Sequence, residues 1–181
     1  MATRPLTQDE IDLARAVFQD NLPYKKIRIA DDLGLGDAPW TDPFGAFFTI
    51  HMGPTAFGVG TSTTATAAYN AAKLDETFIH ELTHVWQGSH GCRYAFVGGS
   101  VVAQARLGRK RVYNYLPDYP WESYNPEQQA QIVEDWYAGN PIANYKATFP
   151  AMDEKTSPLF KYIKDPIRTM KFPAPVEYYT Y

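Results

Sequence analysis

Residues 78–91 read FIHELTHVWQGSHG, and residues 80–84 within them form the pattern H-E-x-x-H. On an α-helix, residues four positions apart lie on one face, so the imidazoles of His80 and His84 can point at a common atom. Glu81 lies about 100° around the helix from His80, where its carboxylate can reach a metal-bound water without binding the metal. The pattern therefore predicts a helical site for a divalent metal, with His80 and His84 as ligands and Glu81 as a catalytic base.

The residues around this motif have the apolar periodicity of a buried helix. The helical pattern begins at Asp75, and two glycines, Gly88 and Gly91, are expected to end it. Five apolar residues surround the two histidines: Phe78, Ile79, Leu82, Val85 and Trp86. The motif is therefore expected in the middle of a helix, as its geometry requires.

Two further helices have recognisable start signals. Residues 7–10 read TQDE, a capping box of the form T-x-x-E, and predict a helix over about 8–19. Residues 125–127 read NPE, with Asn as the N-cap, Pro at the first helical position and an acidic residue in the first turn. This second signal predicts a helix that starts at 126 and ends near Gly139.

The segments between these helices have weaker signals. Alternation of apolar residues predicts short strands over 25–30 and 46–51, and glycines and threonines predict turns over 53–64. A further helix is expected over about 96–107.

Composition bounds the number of domains. The chain has 181 residues, of which 45% are apolar and 15% aromatic, and this predicts one folded domain over 1–181. Proline recurs from about residue 141 onward, which predicts an extended C-terminal segment with one short helix near 157–164.

Charge and cysteine content exclude several classes of partner and site. The formal net charge is −3 and no basic block is present, so neither nucleic acid nor a membrane is an expected partner. The single cysteine, Cys92, excludes an internal disulfide framework and a multi-cysteine zinc site. The ligands of a zinc ion must therefore be histidine and carboxylate side chains.

The first ten residues, MATRPLTQDE, lack the basic and apolar regions of a signal peptide, and no uninterrupted apolar run reaches 18 residues. We therefore expect cytoplasmic synthesis without a signal peptide. Export by a secretion system that needs no cleavable signal stays open.

A catalytic zinc site typically has three protein ligands, so the two histidines need a third. His90 stands six residues after His84, the offset found in H-E-x-x-H-x-x-G-x-x-H, but that pattern needs glycine where this chain has Gln87. Glu127 lies in the rigid first turn of the capped helix, and Glu134 lies on the same face further along. The helix start favours Glu127, and His90 and Glu134 stay open.

The glutamate-bearing helix resembles part of a known zinc site. Residues 127–131 read EQQAQ and resemble the E-x-x-A-D motif of gluzincins, metallopeptidases whose third ligand is a glutamate from a second helix. Gln131 stands where that motif has Asp. Its side-chain carbonyl is expected to accept the hydrogen bond from a ligating histidine that the Asp normally accepts.

A wider resemblance covers about residues 6–138. Three segments are similar to a small family of bacterial proteins identified as metallopeptidases by their motifs: LTQDEIDLARAVF, FIHELTHVWQ and YNPEQQAQIVEDWY. Members of this family are often associated with Rhs and VgrG proteins and with contractile injection systems such as type VI secretion.

The resemblance implies a minigluzincin-like α+β domain, with an H-E-x-x-H helix, a second helix that bears the glutamate, and a small sheet. It implies a zinc metallopeptidase in which His80, His84 and Glu127 bind Zn²⁺ and Glu81 is the general base. We therefore expect a peptide or protein as the substrate, which includes a peptide crosslink of the cell wall. We expect Rhs- or VgrG-type proteins as partners. The alternative is a non-catalytic binding or structural module of an injection system, in which the metal clamps two helices.

Three tyrosines precede the glutamate-bearing helix: Tyr113, Tyr115 and Tyr124. A phenol close to the metal could donate a hydrogen bond to the oxyanion that forms during hydrolysis. With 13 tyrosines in the chain, packing is the more common role for any one of them.

Overall fold

Helices and a small sheet surround the H-E-x-x-H motif in the computed structural model. The structure describes residues 1–34, 37–57, 65–91, 112–142, 145 and 147–169, with backbone alone over 65–72. In chain order, the elements are β1 (Thr3–Pro5), α1 (Gln8–Phe18), β2 (Ile27–Ala30), β3 (Trp40–Asp42), β4 (Phe48–His51), α2 (Gly53–Phe57), α3 (Ala65–His90), α4 (Pro126–Ala138) and α5 (Phe160–Tyr162). The fold is mixed α+β, which confirms the expected class at that level.

The four strands lie in the order β1-β2-β4-β3, so β3 is at one edge of the sheet. β2 and β4 are parallel, whereas β1 and β3 pair with them in antiparallel orientation. Ile50 pairs with Ile29 on one side and with Thr41 on the other, which puts these three side chains on one face. Thr49, one residue before Ile50, belongs to the opposite face. β3 and β4 both contact α3, so the sheet lies beside the helix of the motif.

The capping boxes at the starts of α1 and α4 are both formed. In α1, the backbone N–H of Glu10 donates to Thr7 Oγ1 and the backbone N–H of Thr7 donates to Glu10 Oε2. In α4, the backbone N–H of Gln128 donates to Asn125 Oδ1 at 3.0 Å and Gln128 Oε1 accepts from the backbone N–H of Asn125. Both sequence signals are therefore confirmed, with each helix starting where its cap predicts.

Helix α3 begins ten residues earlier than the sequence predicts, and of the two glycines expected to end it only the second does so. It begins at Ala65 rather than Asp75, because residues 65–74 are rich in alanine, the strongest helix former. It also continues through Gly88, whose cost in a helix is about 1 kcal/mol and is less than the packing of its neighbours provides. The expected end at Gly91 is confirmed, since the helix ends at His90.

The strands predicted over 25–30 and 46–51 are confirmed as β2 and β4, and two three-residue strands, β1 and β3, were missed. The turns predicted from Gly53 begin instead with the short helix α2. The helix predicted over 96–107, the turns predicted over 58–64 and Cys92 lie outside the described residues.

Within its described part, which ends at residue 169, the C-terminal segment is less extended than its prolines predict. The short helix expected near 157–164 is confirmed as α5, and it continues as a π-helical turn over Ile163–Ile167 that contains Pro166. Ile163 and Ile167 are buried, so this stretch contributes to the core. Apolar burial by these side chains outweighs the helix-breaking effect of the proline.

One hydrophobic core joins the sheet and the helices. Its largest fully buried side chains include Phe18 of α1, Ile27 and Ile29 of β2, Ile50 of β4, Ile79 and Leu82 of α3, Ile132 and Trp136 of α4, and Ile163 after α5. Among the helices described, none combines the length and the apolar character needed to cross a lipid bilayer.

Two glycines with positive φ give a test of the packing at the end of α4. Gly139 has φ +71°, and an added Cβ would lie 2.7 Å from the backbone nitrogen of Ala151. Gly45 has φ +83°, but a Cβ there would meet no described atom within 4 Å. We expect Gly45→Ala to lower the free energy of unfolding by about 1 kcal/mol through backbone strain alone. Gly139→Ala should lower it by a further ~1–3 kcal/mol, because backbone atoms cannot yield to the methyl group.

Urea denaturation of the parent and the two variants measures this difference. Equal decreases in the free energy of unfolding of the two variants would show that the segment over 149–151 is not packed against the end of α4.

Candidate functional site

Three side chains from two helices meet in a buried cluster. His80 and His84 lie on α3 and Glu127 lies in the first turn of α4, and one potential ligand atom from each lies within 4.8 Å of the other two. Nε2 of His80 is 3.4 Å from Glu127 Oε2, and Nε2 of His84 is 3.6 Å from the same oxygen. The structure therefore brings together the three residues that the sequence favoured as ligands.

The packing of α3 against α4 creates this cluster. Helical spacing puts the two histidines on one face, and the Asn125 cap fixes the first turn of α4, where Glu127 lies. Ala130 is fully buried one turn after Glu127. Its small side chain lets the two helices approach closely.

Each histidine is held by a hydrogen bond at its other ring nitrogen. Nδ1 of His80 lies 2.9 Å from Glu134 Oε2, and Nδ1 of His84 lies 2.8 Å from Gln87 Oε1. Both partners are acceptors, so each Nδ1 carries the proton of the bond. When the ring is neutral, this leaves the lone pair on Nε2, the nitrogen that faces Glu127.

Gln87 joins His84 to the start of α4. Its Nε2 donates to the backbone carbonyl of Pro126 and to Gln129 Oε1, both at 2.9 Å. Because a carbonyl can only accept, the bond to Pro126 fixes the orientation of the amide and leaves Oε1 to accept from His84. A single side chain therefore orients one histidine and anchors the helix that carries Glu127.

Other candidate ligands lie elsewhere. The ring of His90 stacks on Trp86, with centroids 4.7 Å apart, and its Nδ1 is 2.9 Å from the carbonyl oxygen of Trp86. His90 is not part of the three-residue cluster found among the described residues. Glu134 is close to the cluster, but it contacts His80 from the Nδ1 side.

The role expected for Gln131 is wrong. Its Nε2 donates to Asp135 Oδ1 at 2.9 Å, and the acceptor for the histidine is Glu134 instead. Glu134 lies three residues after Gln131, close to one helical turn further along the same face.

Glu81 is buried beside the cluster and is held from the sheet. Its Oε2 accepts a hydrogen bond of 2.7 Å from the hydroxyl of Thr41, on β3. The same hydroxyl lies 3.1 Å from the backbone carbonyl oxygen of Glu81. Sequence reasoning missed Thr41, because β3 is too short to produce a periodic pattern.

The three tyrosines considered as hydrogen-bond donors to the oxyanion lie in two different environments. The hydroxyl of Tyr115 donates to Asp135 Oδ2, and that of Tyr124 donates to the carbonyl of Leu116. Tyr113 alone of the three is placed against a histidine of the cluster, since its ring centroid lies 5.8 Å from that of His80. Tyr115 and Tyr124 therefore act in packing, and of these three tyrosines Tyr113 is the one whose ring contacts a histidine of the cluster.

The charges in the cluster depend strongly on one another. Burial lowers the pKa of His80, but the hydrogen bonds to Glu127 and Glu134 outweigh burial and raise this pKa to about 10. Burial raises the pKa of Glu127, but the hydrogen bonds to His80 and His84 outweigh it and hold this pKa well below its usual value. The carboxylates make the pocket favourable for positive charge.

Comparison with known proteins finds relatives at the sequence level. No family model matches the chain. Over 137 residues, the chain is 34% identical to the type VI secretion system spike protein VgrG2b of Pseudomonas aeruginosa. The match covers 75% of this chain but only 13% of that protein, so the chain corresponds to a small part of the spike protein.

A solved structure is similar as well. The effector domain of Pseudomonas aeruginosa VgrG2b superimposes with a TM-score of 0.53 and is 30% identical to this chain. The match covers 77% of this chain and 76% of that domain. The two chains therefore match over most of their lengths.

The raised pKa of His80 predicts a pH-dependent stability for the metal-free protein. Between about pH 6.5, the unfolded value, and about pH 10, folded His80 keeps a proton that the unfolded chain has released. The free energy of unfolding should therefore fall as pH rises from 6.5 to 9, below the range in which tyrosines ionise. Thermal unfolding of chelator-treated protein measures this slope.

Glu134→Gln serves as the comparison, because it removes one of the carboxylates that raise the pKa of His80. The slope should be smaller in this variant. Identical slopes in the two proteins would contradict the charge coupling between His80 and Glu134.

Proposed function

The chain belongs to the family of the effector domain of Pseudomonas aeruginosa VgrG2b, and from this premise we propose that it is a secretion-associated effector that hydrolyses peptide bonds with zinc. The observation that carries the enzymatic part is the buried cluster of His80, His84 and Glu127 beside Glu81. The family membership supports the effector part.

The residues of the cluster fit a zinc ion. Two imidazole nitrogens and one carboxylate oxygen are a donor set that zinc prefers. Around a tetrahedral zinc with ligand distances of about 2.0–2.1 Å, neighbouring ligand atoms lie about 3.3–3.4 Å apart. Glu127 Oε2 lies 3.4 and 3.6 Å from the two histidine nitrogens. Three protein ligands leave a fourth position for water or substrate, as in catalytic sites.

The residues around the cluster have separate tasks in this proposal. Bound zinc supplies Lewis acidity, which lowers the pKa of a water to about 7 and polarises the scissile carbonyl. Glu81 accepts the proton from the attacking water and passes it to the leaving amine. Glu134 and Gln87 hold the two histidines with their Nε2 atoms facing Glu127 Oε2, where all three side chains would bind the ion.

The same arrangement supports a minigluzincin-like fold. The first helix, α3, carries H-E-x-x-H, the second helix, α4, carries the glutamate, and a small sheet lies beside the first. The substrate in this proposal is a peptide or protein, and the partner is a VgrG-type spike protein of a type VI secretion system. The relation to the VgrG2b spike protein supports this partner.

A non-catalytic metal clamp is the competing function. Such a clamp needs the two histidines and Glu127 but has no use for a buried carboxylate at position 81. Glu81 is 5% exposed and is oriented by Thr41. This favours catalysis, since burying an ionisable group without a function is costly.

Glu81→Gln tests the catalytic role. The amide cannot accept a proton from water, so we expect the turnover number to fall by about 10²–10⁴-fold while zinc content and fold are retained. Casein cleavage, metal analysis by mass spectrometry and circular dichroism measure these three properties. A parent protein that holds one equivalent of zinc and cleaves no peptide would overturn the proposed activity, and a Glu81→Gln variant as active as the parent would overturn the base assignment.

Glu127→Ala and His90→Ala form a matched pair for the third ligand. Loss of Glu127 leaves two histidines, so the zinc dissociation constant should rise at least ~100-fold, whereas His90→Ala should change it less than about threefold. For Glu134→Ala the zinc dissociation constant should rise by an intermediate factor of about 10–100, because this variant removes a hydrogen bond to a ligating histidine. Competition with a fluorescent chelator gives the three constants. Tight zinc binding by Glu127→Ala would transfer the assignment to one of the other two residues.

A further inference from the structure

Thr41 links the edge strand of the sheet to the proposed general base. It is 4% exposed, and its hydroxyl lies 2.7 Å from Glu81 Oε2, although the two residues are 40 positions apart. The proposed metal ligands lie on α3 and α4, whereas Thr41 lies on β3. Glu81 is therefore held by an element that carries none of those ligands.

The chemistry of this contact determines which oxygen of Glu81 is available. The hydroxyl of Thr41 has one proton, and both groups near it, the carboxylate and the carbonyl of Glu81, are acceptors when Glu81 is ionised. The bond to the carboxylate is the shorter of the two and is charge-assisted, which makes it the stronger. Oε2 is thereby held, and Oε1, which has no hydrogen bond to any described residue, is left to accept a proton from water.

The position of the hydroxyl is fixed by the sheet. Thr41 pairs with Ile50 in the antiparallel ladder between β3 and β4. The neighbouring residue, Trp40, stacks on His51 with ring centroids 4.6 Å apart. Threonine is also restricted at χ1 because it is β-branched. Backbone pairing, ring stacking and a stiff side chain together give the hydroxyl a defined place.

We propose that Thr41 is a positioning residue that orients the carboxylate of Glu81 for proton transfer. The proposal rests on the proposed peptidase function, since it assigns Thr41 a task in that reaction. Without the hydroxyl, the Glu81 side chain keeps its place next to the cluster but samples other rotamers, so the acceptor oxygen is misplaced for part of the time.

The kinetic experiment compares Thr41→Val with Thr41→Ser in the zinc-loaded protein. Valine keeps the shape and the β-branch but removes the donor, whereas serine keeps the donor. We expect Thr41→Val to lower kcat about 10- to 100-fold on a casein-derived peptide, with KM and zinc content unchanged. Thr41→Ser should recover kcat to within about threefold of the parent, because the hydroxyl is restored.

Thr49→Val is the matched control, since it makes the same substitution on β4 at a position that belongs to the opposite face of the sheet. It should leave kcat at the parent value. A Thr41→Val variant with the parent kcat, or a Thr41→Ser variant as slow as Thr41→Val, would overturn the proposal. Loss of zinc from Thr41→Val would also overturn it, because the role would then belong to metal binding.

A second measurement does not depend on activity. In the metal-free protein, urea unfolding of Thr41→Val, Glu81→Ala and the double variant forms a double-mutant cycle. If the two side chains interact, the double variant loses less stability than the sum of the two single losses. The same cycle built with Thr49→Val should be additive. Additivity for Thr41 would overturn the contact itself, whereas an inactive parent with a coupled cycle would overturn the peptidase function and leave the contact standing.

Discussion

Burying the carboxylate of Glu127 between two helices is costly unless neighbouring groups compensate its charge. In this chain, the compensating groups are the imidazoles of His80 and His84, which are buried with it. The interaction requires α3 and α4 to meet at one place, because the carboxylate projects from the first turn of α4. The Asn125 cap, the buried Ala130 and the linking Gln87 all support this contact.

Both histidines of the site have an oxygen atom of another side chain next to each of their two ring nitrogens. Each ring has one nitrogen directed at Glu127 and the other bound to an oxygen of a further side chain. This arrangement sets the ring orientation before any ion arrives, which reduces the reorganisation that binding requires. A proton held by His80 in the metal-free state and a zinc ion in the proposed holo state compete for the same negative pocket.

The sequence predicted the parts of the structure that local chemistry determines. The spacing of His80 and His84 follows from helical geometry, and the caps at Thr7 and Asn125 marked the starts of two helices. Sequence reasoning could rank Glu127 first because its helix had an independent start signal. It could not find Thr41 or assign Glu134 as the partner of His80, since those contacts join residues that are 40 or more positions apart. The partner of His84, Gln87, lies three residues away on the same helix, so helical spacing was the signal that could have found it.

Gln131 shows the limit of transferring a motif residue by residue, because its neighbour on the same helix face, Glu134, makes the contact instead. The alanine-rich start of α3 was missed for a different reason. Its propensity was visible in the sequence, but the nearby glycines and threonines of 53–64 had a stronger local signal for turns.

The side chain of Gln87 also restricts which variants of this site the chain can acquire. A glycine at 87 is what a return of the chain toward a third histidine at 90 would require. That same glycine would remove the amide that binds His84, Pro126 and Gln129, and with it the anchor of the helix that carries Glu127. A change of Gln87 to glycine would therefore weaken the present arrangement of His84 and α4 in the same step that the alternative pattern requires.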